Sequence, residues 1–239
     1  MSDLPKFVEI HEEGPREGFQ IEPGPISTVD KIKLIDALSR TGLKHIQACS
    51  FVNPRLVPGW ADAEQVVEGF MAHEDVEYTG LYFNGNGLDR ALAFKDKLSI
   101  SGSISLTASE GFTKKNLNRT HEENVSAMKR HVTSHLELGI PVNRIGVMAA
   151  FGCNYEGDIS PDTVVQTLKD GMAIANETGA EITLFSLADT MGWAAPHRIE
   201  KVIGKVRSVW PNMDISLHLH DTRGLAIANA YAALKMGIS

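Results

Sequence analysis

Apolar runs and amphipathic stretches alternate along this chain with a regularity that defines its elements. Phe7 to Glu12, His45 to Phe51, Val76 to Phe83, Leu98 to Leu106, Arg144 to Phe151, Glu181 to Ala188 and Ile215 to Asp221 read as strands. Between them the apolar positions recur at helical spacing, as in Ile32, Leu34, Ile35, Leu38 and Leu43. Further helices are expected at Ala61 to Ala72, Leu88 to Phe94, Glu122 to Leu138, Pro161 to Gly179, Pro196 to Val209 and Leu225 to Met236. Their ends carry cap signals. Ser27 has an acid three positions on at Asp30, Ser160-Pro161 opens a helix at the cap and first position, and Gly139 closes one. Residues 107–121 read as a loop, and Asn84-Gly85-Asn86-Gly87 as a turn.

Strands alternating with helices imply parallel pairing with right-handed crossovers, and hence an α/β protein. A (β/α)8 TIM barrel and a doubly wound open sheet both satisfy the pattern. Seven units are present, so for a barrel the eighth is missing. The chain reads as a single domain over residues 1–239 that lacks its natural C-terminal segment. In a barrel the chemistry sits at the C-terminal ends of the strands, which makes those ends the places to look.

Composition narrows the function classes. The 239 residues are 43% hydrophobic and 22% charged, with a formal charge of -7. That balance opposes nucleic acid and anionic membrane as partners. No apolar run approaches the roughly 20 residues that span a bilayer. The start shows no basic stretch followed by an apolar one, so no secretory signal is expected. Two cysteines, Cys49 and Cys153, are too few for a disulfide framework and read as small buried residues in a cytoplasmic protein.

Two strand ends carry candidate chemistry. Leu217-His218-Leu219-His220-Asp221-Thr222-Arg223 places two imidazoles on one strand face and two leucines on the other. The turn Gly14-Pro15-Arg16-Glu17-Gly18-Phe19-Gln20 brings a guanidinium, a carboxylate and an amide close together. Glu17 with His218 and His220 forms a mixed oxygen and nitrogen set. Such a set suits Mg²⁺, Mn²⁺, Co²⁺ or Zn²⁺ at an open site better than a structural zinc.

These two segments resemble the metal-dependent TIM-barrel lyases whose first motif is Arg-Asp/Glu-Gly-x-Gln. Within that group the chain is similar to the 3-hydroxy-3-methylglutaryl-CoA lyase family. Ser50-Phe51-Val52-Asn53-Pro54, Phe112-Thr113-Lys114-Lys115-Asn116, Gly152-Cys153-Asn154-Tyr155-Glu156-Gly157 and Ala188-Asp189-Thr190-Met191-Gly192 add to the likeness, in order, from about Phe7 to the last residue. The resemblance implies retro-aldol cleavage of an acyl-CoA to acetyl-CoA and a keto acid such as acetoacetate, as in leucine degradation. It implies a divalent metal, Mg²⁺ or Mn²⁺ first, and a homo-oligomer (dimer or tetramer). Arg16 takes the place of the arginine that steadies the enolate. Glu17, His218 and His220 take the metal ligands, and Asp189 an acidic catalytic residue ending the sixth strand. Gln20 stands beside the metal, and Asn116 in the loop that reaches the acyl-CoA. Gln47 stands where the family has a catalytic glutamate, and Arg223 where it tends to have a tyrosine. Those two departures bear on the substrate more than on the reaction. A Claisen-type synthase, a 2-oxo-acid aldolase and a non-catalytic metal-binding homologue are the alternatives.

Overall fold

The computed structural model describes residues 4–24 and 26–239. They form two compact units, Glu9–Ile100 and Ser101–Ser239, the latter including the segment up to Val8. Each unit repeats the parallel βα step expected from the sequence.

In the first unit the strands are β1 (His11–Glu12), β2 (His45–Ser50) and β3 (Glu77–Leu81), parallel and in that spatial order. The helices are α1 (Phe19–Ile21), α2 (Thr28–Leu38), α3 (Ala63–Gly69) and α4 (Gly85–Leu92). Ser27 caps α2 as expected, its side chain accepting from the Asp30 amide. Ile35, Ile46, Trp60, Val66, Val67 and Phe70 meet in one buried core. The first strand is shorter than its pattern suggests. Only His11 and Glu12 pair with β2, while Phe7 and Ile10 are exposed. The expected turn at Asn84-Gly85-Asn86-Gly87 is instead a helix start. The Asn84 side chain accepts from the Gly87 amide at 3.0 Å, and a Cβ on Gly87 would come within 2.8 Å of the Phe51 carbonyl.

In the second unit β4 (Gly102–Thr107), β5 (Val142–Met148), β6 (Leu184–Ala188) and β7 (Asp214–His218) form a parallel sheet in sequence order. Five helices accompany them: α5 (Glu110–Leu117), α6 (His121–Glu137), α7 (Pro161–Thr178), α8 (Pro196–Val209) and α9 (Ala226–Lys235). One face of this sheet is apolar, built from the rows Ile104, Ile145, Phe185, Ile215 and Leu106, Val147, Leu187, Leu217, while the other face carries the small and polar row Ser105, Gly146, Ser186, Ser216. Ile104, Ile145, Val147, Phe185, Leu187 and Leu168 are fully buried in a single core. Thr120 and Glu123 form a reciprocal capping box on α6, and Gly179 ends α7 at φ 82°. Residues 110–117 were expected in a loop and are helical. Ser109 supplies the cap by accepting from the Phe112 amide at 3.1 Å, and Asn118 closes the helix in the left-handed region. Among the described residues no helix is long and apolar enough to cross a membrane.

Candidate active site

In the second unit the chemistry collects where β6 and β7 end. Asp189 follows β6 directly and is 1% exposed. Its backbone amide donates to the His218 carbonyl at 2.8 Å, which ties the end of β6 to the end of β7. Its own carbonyl, 2.8 Å from His220 Nδ1, can only accept, so that nitrogen carries the hydrogen. In the neutral ring this leaves the lone pair on Nε2. His218 Nε2 lies 3.3 Å from His220 Nε2. Metal–imidazole bonds of about 2.0–2.1 Å can both reach one ion across that gap. A carbonyl fixing the far nitrogen is the usual support of a ligating histidine. Leu217 and Leu219 pack into the core on the other side, as the alternation predicts.

The Asp189 carboxylate is held from one side. Oδ1 accepts the amides of Trp193 at 2.7 Å and Ala194 at 2.9 Å. Oδ2 is buried and has no hydrogen-bond partner. Burial pushes the Asp189 carboxyl pKa up, opposed by those two amides and by the charges of His220 and Arg223. A buried carboxyl with one oxygen unspoken for is suited to exchange a proton with something that arrives.

The loops around Asp189 are shaped by close approaches. Ala149, one residue beyond β5, adopts φ 54°, and its amide donates to Thr190 Oγ1 at 2.9 Å. A left-handed alanine is strained and is held by such contacts. Gly192 has φ 66°, and a Cβ there would lie 2.6 Å from Thr222. Arg223 is exposed, with its guanidinium 4.8 Å from the centre of the Trp193 ring. The Trp193 indole in turn donates to Asn154 at 2.7 Å. The roles of Thr190 and Trp193 had no signal in the sequence beyond their proximity to Asp189.

In the first unit Arg16 is the centre. It lies in a helical turn, Gly14–Gly18, just past β1. Its Nε donates to Gln47 Oε1, and its Nη2 reaches Glu13 at 2.9 Å and Glu17 at 3.1 Å. The Trp60 indole donates to the Arg16 carbonyl at 3.1 Å. The guanidinium is therefore oriented on several sides, as a fixed charge must be. Gln47 stands at the position where the resemblance puts a catalytic glutamate. It sits in the middle of β2, beside a register shift between Gln47 and Cys49, and its amide oxygen serves Arg16. The role of Glu13 is signalled in the sequence only by its spacing of three from Arg16, the pairing distance of a helical turn. Gln20 is exposed on α1. Asn116 is exposed on α5 rather than in a loop.

The cysteines behave as packing residues. Cys49 and Cys153 are both fully buried. Burial pushes the Cys49 thiol up, away from the thiolate a nucleophile needs.

The chain has clear relatives among known proteins. The family model described as HMGL-like matches residues 7–239. The chain is 38% identical to hydroxymethylglutaryl-CoA lyase YngG of Bacillus subtilis, over 98% of this chain and 75% of that protein. The crystal structure of the Bacillus subtilis HMG-CoA lyase superposes with a TM-score of 0.86 at 36% identity, covering 99% of this chain and 76% of that one. An HMG-CoA lyase of Acinetobacter baumannii, solved with coenzyme A and 3-methylmalate, gives 0.83 at 31% identity, over 100% of this chain and 74% of that one.

Proposed function

This chain belongs to the HMGL-like family, and on that premise we propose that it is a carbon–carbon lyase acting on a 3-hydroxy-3-methylglutaryl-CoA-like thioester. The paired Nε2 atoms of His218 and His220, with the Asp189 carbonyl behind one of them, carry the reading. These two rings would hold a divalent cation, Mg²⁺ or Mn²⁺, with Glu17 as the carboxylate that the resemblance assigns to the same ion. Such an ion, when bound, supplies a Lewis acid that makes a chelated hydroxyl easier to deprotonate.

The chain's own groups supply the rest. Asp189 takes the C3 hydroxyl proton on its unpartnered oxygen. Its raised pKa makes it a stronger base than an ordinary surface carboxylate. As the C3–O bond becomes a carbonyl, the C2–C3 pair moves onto the thioester as an enolate. Arg16 presents fixed positive charge to that oxygen, held by Gln47 and its two glutamates so that little reorganisation is needed. Protonation of the enolate carbon by solvent gives acetyl-CoA, the other fragment leaves as a keto acid, and Asp189 releases the proton it took. Neither Cys49 nor Cys153 is the proton donor, because both are sealed in the packing.

The test is thioester cleavage followed by acetyl-CoA release, with Mg²⁺ or Mn²⁺ and with a chelator. Metal-dependent release that disappears in His220→Ala, with the fold retained, is expected. Undiminished activity in that variant overturns the reading. Condensation onto a 2-oxo acid in place of cleavage would assign the chain to a synthase instead.

A further inference from the structure

A second cluster of imidazoles and carboxylates lies at the opposite end of the first unit's sheet. The parallel register aligns His11 with His45 and His45 with Glu77, so β1, β2 and β3 begin in one row with His, His and Glu. This is the N-terminal edge of the strands. Arg16 follows the other end of β1, so the proposed chemistry leaves this row unused.

The side chains of the cluster converge, with Glu9 and His11 close enough to share a hydrogen bond. Glu9 Oε1 lies 2.5 Å from His11 Nε2 and 3.2 Å from His45 Nε2. The two rings stack with centroids 4.1 Å apart and planes within 10°. One ligand atom from each of Glu9, His11 and His45 lies within 4.8 Å of the others. Behind them, Glu77 Oε2 is 2.8 Å from His45 Nδ1.

The proton inventory makes this arrangement informative. A neutral imidazole has one N–H, yet carboxylate oxygens face both nitrogens of His45. With Nδ1–H donated to Glu77, Nε2 presents its lone pair toward Glu9 and His11. A positive charge in front of Nε2, whether a proton or a metal ion, is what lets the Glu9 carboxylate approach it at 3.2 Å. A carboxylate that fixes the rear nitrogen of a histidine is the support found behind metal-bound imidazoles. Stacked rings keep the two front nitrogens on one side.

The geometry points to a divalent transition-metal site made by Glu9, His11 and His45, with Glu77 orienting His45. Two imidazoles and one carboxylate favour Zn²⁺, with Co²⁺, Ni²⁺ and Cu²⁺ of the same class, over the hard cations expected of the lyase centre. Glu9 and His11 are about half exposed and His45 is partly covered, so the ion would keep solvent on its open side. An ion there would clamp the short β1 to the start of β2. Its role is to fasten the strand that leads into the Arg16 turn.

The experiment is a Zn²⁺ titration of the full chain in the His220→Ala background, which removes a ligand of the other proposed centre. One equivalent is expected to bind and to raise the melting temperature. Adding His45→Ala should abolish both the binding and the thermal shift. Adding Glu77→Gln should weaken binding by roughly ten- to a hundredfold, the usual loss when such a supporting partner is removed. The row is partly exposed, so these variants should fold. His11→Gln serves as a second ligand variant with the same expectation. Absence of Zn²⁺ binding in His220→Ala, or binding unchanged by both His45→Ala and His11→Gln, overturns the site. Neither result bears on thioester cleavage by the wild type, so the two proposals fail separately.

Discussion

Asp62→Ala should unfold this protein sooner by removing the only carboxylate on a buried ammonium among the described residues. Lys31 is 2% exposed, although it sits on α2 among residues that read as an ordinary amphipathic face. Its Nζ donates to Asp62 Oδ1 at 2.6 Å and to the Gly59 carbonyl at 2.5 Å. It also lies 4.6 Å from the centre of the Trp60 ring. Thr28 Oγ1 donates to the second Asp62 oxygen at 2.6 Å. Removing one partner of a buried pair costs about 3–5 kcal/mol, because the other charge is stranded. Here the lysine keeps a carbonyl and a ring face, and the Asp62 side chain is 20% exposed. The expected cost is therefore at the lower end, about 3 kcal/mol. At about 2–4 °C per kcal/mol for a chain of this size, the melting temperature should fall by about 6–12 °C. Asp62→Asn keeps one acceptor oxygen for Lys31, with its amide N–H2 donating to Thr28 Oγ1 in place of the lost acceptor, and should lose roughly half as much. The consequence reaches the site, since Trp60 beside this pair donates to the Arg16 carbonyl. Calorimetry of both variants, with acetyl-CoA release measured below their transitions, tests the chain of reasoning. An Asp62→Ala melting temperature within about 2 °C of wild type would refute it, because a stranded buried ammonium cannot be that cheap.

Gln47→Glu should raise activity on 3-hydroxy-3-methylglutaryl-CoA, because a carboxylate replaces the amide that receives Arg16 Nε; steady-state kinetics check it, and no change would place Gln47 outside the chemistry. Gly192→Ala should destabilise the protein by about 1–3 kcal/mol in urea unfolding, since its φ of 66° and its 2.6 Å approach to Thr222 both exclude a Cβ. His131, its ring tilted by 41° against that of His135 with centroids 4.0 Å apart, has its pKa lowered from 6.5 to about 4 by burial and by that neighbour. The fold thus favours the neutral ring. Stability should decline as pH falls through the unfolded value near 6.5 and level off below about 4. That gap caps the loss near 3 kcal/mol, and the half-buried ring should realise about 1–2 kcal/mol of it. Urea midpoints at pH 7 and 5 for wild type and His131→Gln should converge on the acid side.

Much of this protein is legible along the chain. The βα alternation, the Ser27 and Ser160 caps, the Gly179 stop and the face shared by His218 and His220 follow from neighbouring residues. Local geometry has a fixed period, so residues a few places apart determine it. The short first strand, the helix at residues 110–117, the burial of Lys31 and the seat of Gln47 against Arg16 were decided elsewhere. Each depends on which strand lies beside which, and in what register. Glu9 has no meaning as a ligand until His11 and His45 are set side by side. Asp189 illustrates both levels. Its place after a strand is written in the apolar run before it, while its sealed, half-satisfied carboxylate exists only because Trp193 and Ala194 fold back over it.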